Sequence, residues 1–302
     1  MSAGLEALML SAEPRPASTL LRAAEGAAAV WAAPRPGGGL SEDALLVLPL
    51  GPDSAVLAVA DGMGGLPEGG IAAARAITAL ATTVESGLAD GNSLQGAILD
   101  GISRANAAVL SMGTGSATTL AVAELAGGWI RAYNVGDSEI MVFGQRGGLK
   151  LRTLSHSPVG FALQAGLVDH EQALYHHDRH LVSNFVGSHD MRIEVGSALR
   201  LRPLDTVVVC SDGLVDNLRL AEIAAIMRCG PLDRRLEKLA DQATMRMTTR
   251  PKTQDSHPSK PDDLSIIAFR RRPGRALARR LPPTRQLGLG DESTAKNDWG
   301  HP

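Results

Sequence analysis

The 302-residue sequence predicts a layered α+β domain with antiparallel sheets. Three observations carry the prediction. Short apolar runs of strand length recur along the chain. Gly-rich turns separate most of the runs in its middle part. Two pairs of segments with helical spacing interrupt the strand-like runs.

Taken in order, residues 1–26 contain Ala and Pro but little pattern and read as an N-terminal extension. Residues 27–32 (AAAVWA) read as a first strand, followed by the loop PRPGGG at 34–39. Residues 44–50 (ALLVLPL) and 55–60 (AVLAVA) flank Gly51-Pro52-Asp53 and read as a hairpin of buried strands. After the Gly-rich loop 61–70 (DGMGGLPEGG), apolar residues at Ile71, Ala74, Ile77, Ala81, Val84 and Leu88 predict a helix over 71–88, and a similar period predicts a second over 94–110. Segments 117–125, 129–135, 139–143 and 149–154, with their Gly turns, read as an antiparallel meander. A short helix is expected at 159–166, strands at 191–195 and 205–210, helices at 218–228 and 231–248, and a last strand at 264–269 (LSIIAF). Beyond Arg270 the apolar period stops, and composition predicts a disordered tail over 271–302. The domain is expected to span 27–270.

Charge and cysteine content exclude several classes. The formal net charge is −2, but residues 270–302 carry +5 and the rest of the chain −7. An acidic body does not favour nucleic acid as a partner. Cys210 and Cys229 have no zinc-site spacing and read as small buried apolar residues. No apolar run reaches the roughly 20 residues of a membrane span, and MSAGLEALML lacks the basic start of a signal peptide. A cytoplasmic protein is expected.

One pattern points to chemistry. Apolar strands run into an acidic residue beside glycine at Asp61-Gly62, Gly136-Asp137 and Asp212-Gly213. Acidic pairs also precede two strands, at Glu42-Asp43 and Asp262-Asp263. Carboxylates at the mouths of buried strands are costly unless paired or coordinating a cation, and if the strand ends converge, mutual repulsion raises their pKa values. An all-oxygen donor set suits hard ions such as Mg²⁺ or Mn²⁺. Taken one at a time, these pairs also fit ordinary strand-end turns.

DGMGG at 61–65, NVGDS at 134–138, SDG at 211–213 and DDLS at 262–265 follow one another in an order and approximate spacing that resemble the metal-dependent protein phosphatases of the PP2C type. SED at 41–43 stands where that family has its early acidic pair, and SATTLAV at 116–122 is similar to its Thr-rich strand. The resemblance implies a four-layer α-β-β-α sandwich with two antiparallel sheets flanked by helices. It implies hydrolysis of phosphoserine and phosphothreonine by water between two Mn²⁺ or Mg²⁺ ions, without a phosphoenzyme. By the same resemblance, Asp61 bridges both ions, the Gly62 carbonyl binds one, and Asp212 and Asp262 complete the other. Glu42 and Asp43 hold bound water, and Asp137 supports a third ion. The implied partners are a phosphorylated protein and its cognate Ser/Thr kinase, and the expected enzyme is a monomer.

Three positions depart from the family pattern. The arginine that binds substrate phosphate, four residues before the early Glu, is Gly38 here, and Arg35 is the candidate to replace it. Met63 stands where some eukaryotic members have a histidine, and Ser155-His156-Ser157 resembles a DHS element. Residues 159–175 then resemble the variable flap that shapes substrate choice. His176 and His180 could share a helical face as transition-metal ligands, but no third ligand stands at a recognised spacing. On sequence alone, Gly38 leaves open a non-catalytic phosphatase-like binding module, and a closed flap would favour a small-molecule phosphatase.

Overall fold

The computed structural model describes residues 8–11, 15–63, 66, 68–249 and 258–272. Its strands and helices follow from how the apolar residues are divided between faces. In β4 (Asp43–Pro49) and β5 (Ser54–Asp61) nearly every residue is buried. In β5, Ala55, Leu57 and Val59 face the core between two sheets. Their neighbours Val56, Ala58 and Ala60 face a core under α1 (Gly69–Ala89) and α2 (Leu94–Leu110). A strand covered on both faces needs no polar alternation, which is why AVLAVA reads as one unbroken apolar run.

The first sheet has the order β1 (Leu8–Ser11), β4, β5, β6 (Leu120–Ala126), β7 (Trp129–Val135), with β10 (Glu194–Val195) and β11 (Leu199–Arg200) both on the far side of β7. The second has the order β2 (Arg15–Ala23), β3 (Gly26–Ala33), β13 (Leu264–Arg271), β12 (Thr206–Cys210), β8 (Glu139–Phe143), β9 (Leu149–Arg152). All pairings are antiparallel. The helices α5 (Asp212–Val215), α6 (Leu220–Met227) and α7 (Leu232–Thr248) cover the outer face of the second sheet. The result is the four-layer α-β-β-α sandwich. Two short helices, α3 (Pro158–Gln164) and α4 (His170–Leu174), lie in the flap-like stretch between β9 and β10. Ser157 caps α3, with Pro158 at its first position.

Four expectations need correction. The meander is two hairpins: β6–β7 lies in the first sheet and β8–β9 in the second, so the chain changes sheets across Gly136-Asp137-Ser138. Of the predicted N-terminal extension 1–26, the described parts are not an extension, because β1 and β2 belong to the sheets; residues 1–7 and 12–14 lie outside the described residues. The β2–β3 turn is formed by Ala24 and Glu25, both at positive φ (42° and 60°), without the Asn-Gly or Asp-Gly that signals such a turn. Glu25 is tied there by Arg271 at 2.7 Å, so β13 runs past the expected boundary at 270. Cys229 is exposed, while Cys210 is buried as expected. Of the tail predicted to be disordered over 271–302, Arg271 ends β13, and 273–302 lies outside the described residues.

Leu57 is fully buried between the sheets. Leu57→Ala is expected to lower unfolding free energy by about 2–5 kcal/mol, read by urea denaturation. A loss below about 1 kcal/mol would contradict a close-packed core at that position.

Candidate metal centre

The strand ends that carry acidic residues meet at one end of the two sheets. Asp43 begins β4 and Asp61 ends β5, and the two are direct partners across the hairpin. Asp137 follows β7 at the crossing between sheets, Asp212 follows β12, and Asp262 and Asp263 precede β13. Antiparallel order makes this inevitable: starts of some strands and ends of their neighbours share one edge.

The flanking residues hold this arrangement in place. The Asp61 backbone is clamped by the Thr-rich segment. Thr119 N–H and the Thr118 hydroxyl both donate to the Asp61 carbonyl at 2.8 Å, and Asp61 N–H donates to Thr119 Oγ1 at 2.9 Å. Thr119 Oγ1 also bonds Ser138 Oγ at 2.7 Å, joining the clamp to the Asp137 loop. A Cβ on Gly62 would lie 2.4 Å from the Gly69 carbonyl oxygen, and one on Gly213 only 2.0 Å from the Asp263 carbonyl oxygen. Glycine follows each aspartate because another backbone passes where a side chain would begin.

Asp263 is buried and its two oxygens accept from Arg35 N–H at 2.7 Å and Glu42 N–H at 2.6 Å. One carboxylate therefore pins both ends of the loop bearing Arg35 and Glu42. Within that loop, Gly38 N–H donates to the Arg35 carbonyl at 2.8 Å. The Arg35 side chain lies over Gly38, with Cγ 2.4 Å from where a residue-38 Cβ would stand. An arginine at 38 and Arg35 in its present pose exclude each other.

The electrostatics point to missing positive charge. Asp43 is pushed up to about 8 by burial, then by the charge of Asp263. Asp61 is raised by burial and by Asp43, Asp212, Asp137 and Asp262. Burial also leads in raising Asp137, Asp212 and Asp262, with neighbouring aspartates adding to it and Lys260 opposing it. Glu42 is raised by burial and Asp263 and lowered by Arg35. Both oxygens of Asp43 and Oδ1 of Asp212 are buried and make no hydrogen bond of good geometry, although Ser211 and Ser265 beside Asp43, and Asp61 beside Asp212, oppose part of the upward shift. Orphaned buried carboxylate oxygens, crowded together without His or Cys, fit a hard divalent cation.

Several contributors were not identified from sequence: Lys260, Asp216, the structural role of Asp263, and Arg179, whose guanidinium joins the flap to the Ser259 carbonyl at 3.4 Å. Lys260, Asp216 and Arg179 sit in no strand-to-acid pattern, and although Asp263 stands in the acidic pair before β13, no local signal marks its hold on Arg35 and Glu42. His156 is buried. It accepts from Gly136 N–H at 3.1 Å through Nδ1 and pairs with Glu194 at 3.0 Å through Nε2, so it is part of the support of the Asp137 loop. His176 and His180 share no helix, since α4 ends at Leu174. A different trio, His176, His177 and Asp178, brings ligand-type atoms within 4.8 Å of one another at the surface.

Open space lies on both sides of the carboxylates. A groove of about 1310 Å³ runs from Arg35, Glu42 and Asp263 along α1 and α2. A smaller cavity of about 380 Å³ sits under the flap, between Asp137, Asp212 and Asp216 and the residues Leu163, Leu174 and Arg179.

A two-sheet sandwich whose strand ends gather an oxygen-only acidic centre fits the class of metal-dependent enzymes. The comparisons specify which kind. Residues 35–246 match the protein phosphatase 2C family. A putative protein phosphatase 2C-type of Streptococcus pyogenes is 29% identical over 197 residues, covering 62% of this chain and 79% of that protein. The serine/threonine phosphatase stp of Listeria welshimeri is 27% identical over 182 residues, covering 57% and 71%. Among solved structures, the Mycobacterium tuberculosis serine/threonine phosphatase PstP/Ppp has a TM-score of 0.66 at 22% identity, covering 84% of this chain and 100% of that one. Stp1 of Staphylococcus aureus has a TM-score of 0.67 at 20% identity, covering 80% and 94%. This chain belongs to the protein phosphatase 2C family. It is a metal-dependent protein-serine/threonine phosphatase.

The raised carboxylates give a pH prediction. An acid whose folded pKa exceeds its unfolded value holds more protons folded than unfolded in that window. Its contribution is present below the unfolded value, near 3.8, and is lost as pH rises toward about 8, the value for Asp43. In chelator, the Tm should fall as pH rises through this window, and saturating Mn²⁺ should remove the fall. A chelated protein whose Tm rises steadily over the same range would contradict the crowded-carboxylate picture.

Proposed function

We propose that Asp61, Asp212 and Asp262, with the Gly62 carbonyl, hold two Mn²⁺ or Mg²⁺ ions, that Glu42 and Asp43 form the outer acidic pair, and that Asp137 supports a third ion. The convergence of these residues at one end of both sheets, with unpartnered buried oxygens, carries the reading. The catalytic domain of PstP, a neighbour in fold, is known in complex with two manganese ions. When bound, such ions supply Lewis-acid polarisation of the phosphoryl oxygens and activation of the attacking water.

The chain's own residues do the positioning. The Thr118–Thr119 clamp and the Gly62 close approach fix Asp61 before any ligand arrives. Asp263 fixes Arg35 and Glu42 together, so the phosphate-binding and acidic groups move as one loop. Arg35, exposed at the mouth of the large groove, takes the phosphate-binding role of the family arginine absent at Gly38. The substrate is a phosphoprotein whose phosphorylated segment approaches along that groove, modified earlier by a Ser/Thr kinase in the same signalling circuit. Among the described residues no helix is long and apolar enough to cross a membrane. The working assignment is a cytoplasmic monomer.

The central test is hydrolysis of a phosphothreonine peptide with and without Mn²⁺. Wild type should turn over only with metal, and Asp212→Asn should lose at least about 10²-fold in kcat. Metal-independent turnover, or an unaffected Asp212→Asn enzyme, would sink the assignment. A second test concerns the arginine. Arg35→Ala should raise KM about tenfold or more, and Arg35→Ala with Gly38→Arg should recover much of the loss. An unchanged KM in the single variant would remove Arg35 from the phosphate site.

A further inference from the structure

Among the described residues, Lys260 is the cation that forms ion pairs with the proposed metal ligands Asp212 and Asp262. Its Nζ lies 2.5 Å from Asp212 Oδ2, 2.9 Å from Asp262 Oδ2 and 2.9 Å from Asp216 Oδ2. Two of those three carboxylates are the pair assigned to one metal ion. The lysine is not a stray surface side chain. Its backbone is held from both sides by fully buried Asn217: Lys260 N–H donates to Asn217 Oδ1 at 2.8 Å, and Asn217 Nδ2 donates to the Lys260 carbonyl at 2.8 Å. The same Nδ2 donates to the Gly213 carbonyl at 2.9 Å, tying the lysine to the turn that carries Asp212. Ser259, next in the chain, is anchored through its hydroxyl to the Arg246 carbonyl at 2.9 Å and receives Arg179 from the flap.

The seat and the metal position are therefore in conflict. The ammonium occupies Oδ2 of Asp212 and of Asp262 and leaves Asp212 Oδ1 without a hydrogen bond of good geometry, so an ion ligated by this pair, at about 2.0–2.2 Å from its oxygens, would stand within a few ångströms of the ammonium. Two cations sharing Asp212 and Asp262 would repel each other across a few ångströms of enclosed space. One charge on Lys260 offsets only part of the repulsion in the cluster, so the metal wins at sufficient concentration, but against a competitor already in place.

We propose that Lys260 is a built-in counter-cation: it holds the Asp212–Asp262 pair together when metal is absent and must leave those carboxylates before the ion they ligate can bind, so that it sets the metal concentration at which the enzyme becomes loaded. This inference rests on the assignment of Asp212 and Asp262 as metal ligands. It concerns loading and is independent of which phosphoprotein is hydrolysed.

The test titrates Mn²⁺ alone into the metal-stripped full chain by calorimetry and follows Tm in parallel. Lys260→Met should bind the ion of that pair about tenfold tighter or more. In chelator it should melt at least about 2 °C below wild type, and saturating Mn²⁺ should close that gap. The exposed-lysine control Lys238→Met should match wild type in both. Unchanged Mn²⁺ affinity in Lys260→Met overturns the proposal. Asp262→Asn separates the two levels. If it loses Mn²⁺ binding while Lys260→Met leaves affinity unchanged, the metal assignment stands and the counter-cation role fails. If Asp262→Asn binds Mn²⁺ like wild type, the assignment beneath the proposal fails. Wild type provides a readout that does not depend on any variant folding. Acetic anhydride labelling of Lys260, followed by mass spectrometry, should rise several-fold on saturation with Mn²⁺ as the amine is released. Equal or weaker labelling with metal would overturn the displacement.

Discussion

Repulsion among carboxylates gathered at one end of two sheets is the constraint on which the rest of the molecule turns. Asp43, Asp61, Asp137, Asp212, Asp262 and Asp263 each act on at least one of the others, and burial adds to every shift resolved among them. Such a cluster would drive its own strand ends apart unless the backbone were fixed independently of the charges. The Thr118–Thr119 clamp on Asp61 and the glycine contacts at 62 and 213 do that fixing with neutral groups. A site assembled this way is pre-organised for cations and strained without them, which is the condition under which ligand binding becomes folding energy.

The two-sheet architecture is what allows so many acids to meet. Each antiparallel hairpin returns the chain to the same edge, so Asp43 and Asp61 arrive as cross-strand partners. The second sheet delivers Asp212 and the 262–263 pair to that edge, and the crossing between sheets at Gly136–Ser138 places Asp137 between them. The helices cover the outer faces and leave the strand ends open. Rigid layers thus carry the charged groups, with the groove along α1 and α2 on one side and the cavity under the flap on the other.

Much of this was legible in the sequence because the strands are buried on both faces and end in Asp-Gly pairs. Continuous apolar runs such as ALLVLPL and AVLAVA marked the core strands, and periodic Ala, Ile and Leu marked α1 and α2 nearly to their ends. The β2–β3 hairpin escaped because Ala24 and Glu25 adopt the turn conformation that Asn-Gly ordinarily advertises. The sheet change at Asp137 escaped because a hairpin and a crossover both look like strand–Gly–strand in one dimension. Lys260 and Asp216 escaped for a different reason: their importance comes from long-range proximity, 48 and 44 residues apart from their ionic partners Asp212 and Lys260, with no local pattern to announce it.

Two basic residues distinguish this centre from a plain acidic cluster, and they act at opposite sides of it. Arg35 reaches the mouth of the groove from a loop whose two ends hang on Asp263, and the absence of a side chain at Gly38 is what gives it room. Lys260 sits on the flap side, held through Asn217 and linked by Ser259 to Arg179. In the proposed assignment, the phosphate site and the metal ligands each face a cation whose position is set by a neighbouring anchored loop. Asp263, which anchors Arg35 and Glu42, follows Asp262 directly, and its N–H donates to Asp262 Oδ1 at 3.0 Å. A cation exchanged at Asp212 and Asp262 would then be felt at the phosphate-binding loop without any large motion. Metal occupancy and phosphate recognition would be coupled through two adjacent aspartates.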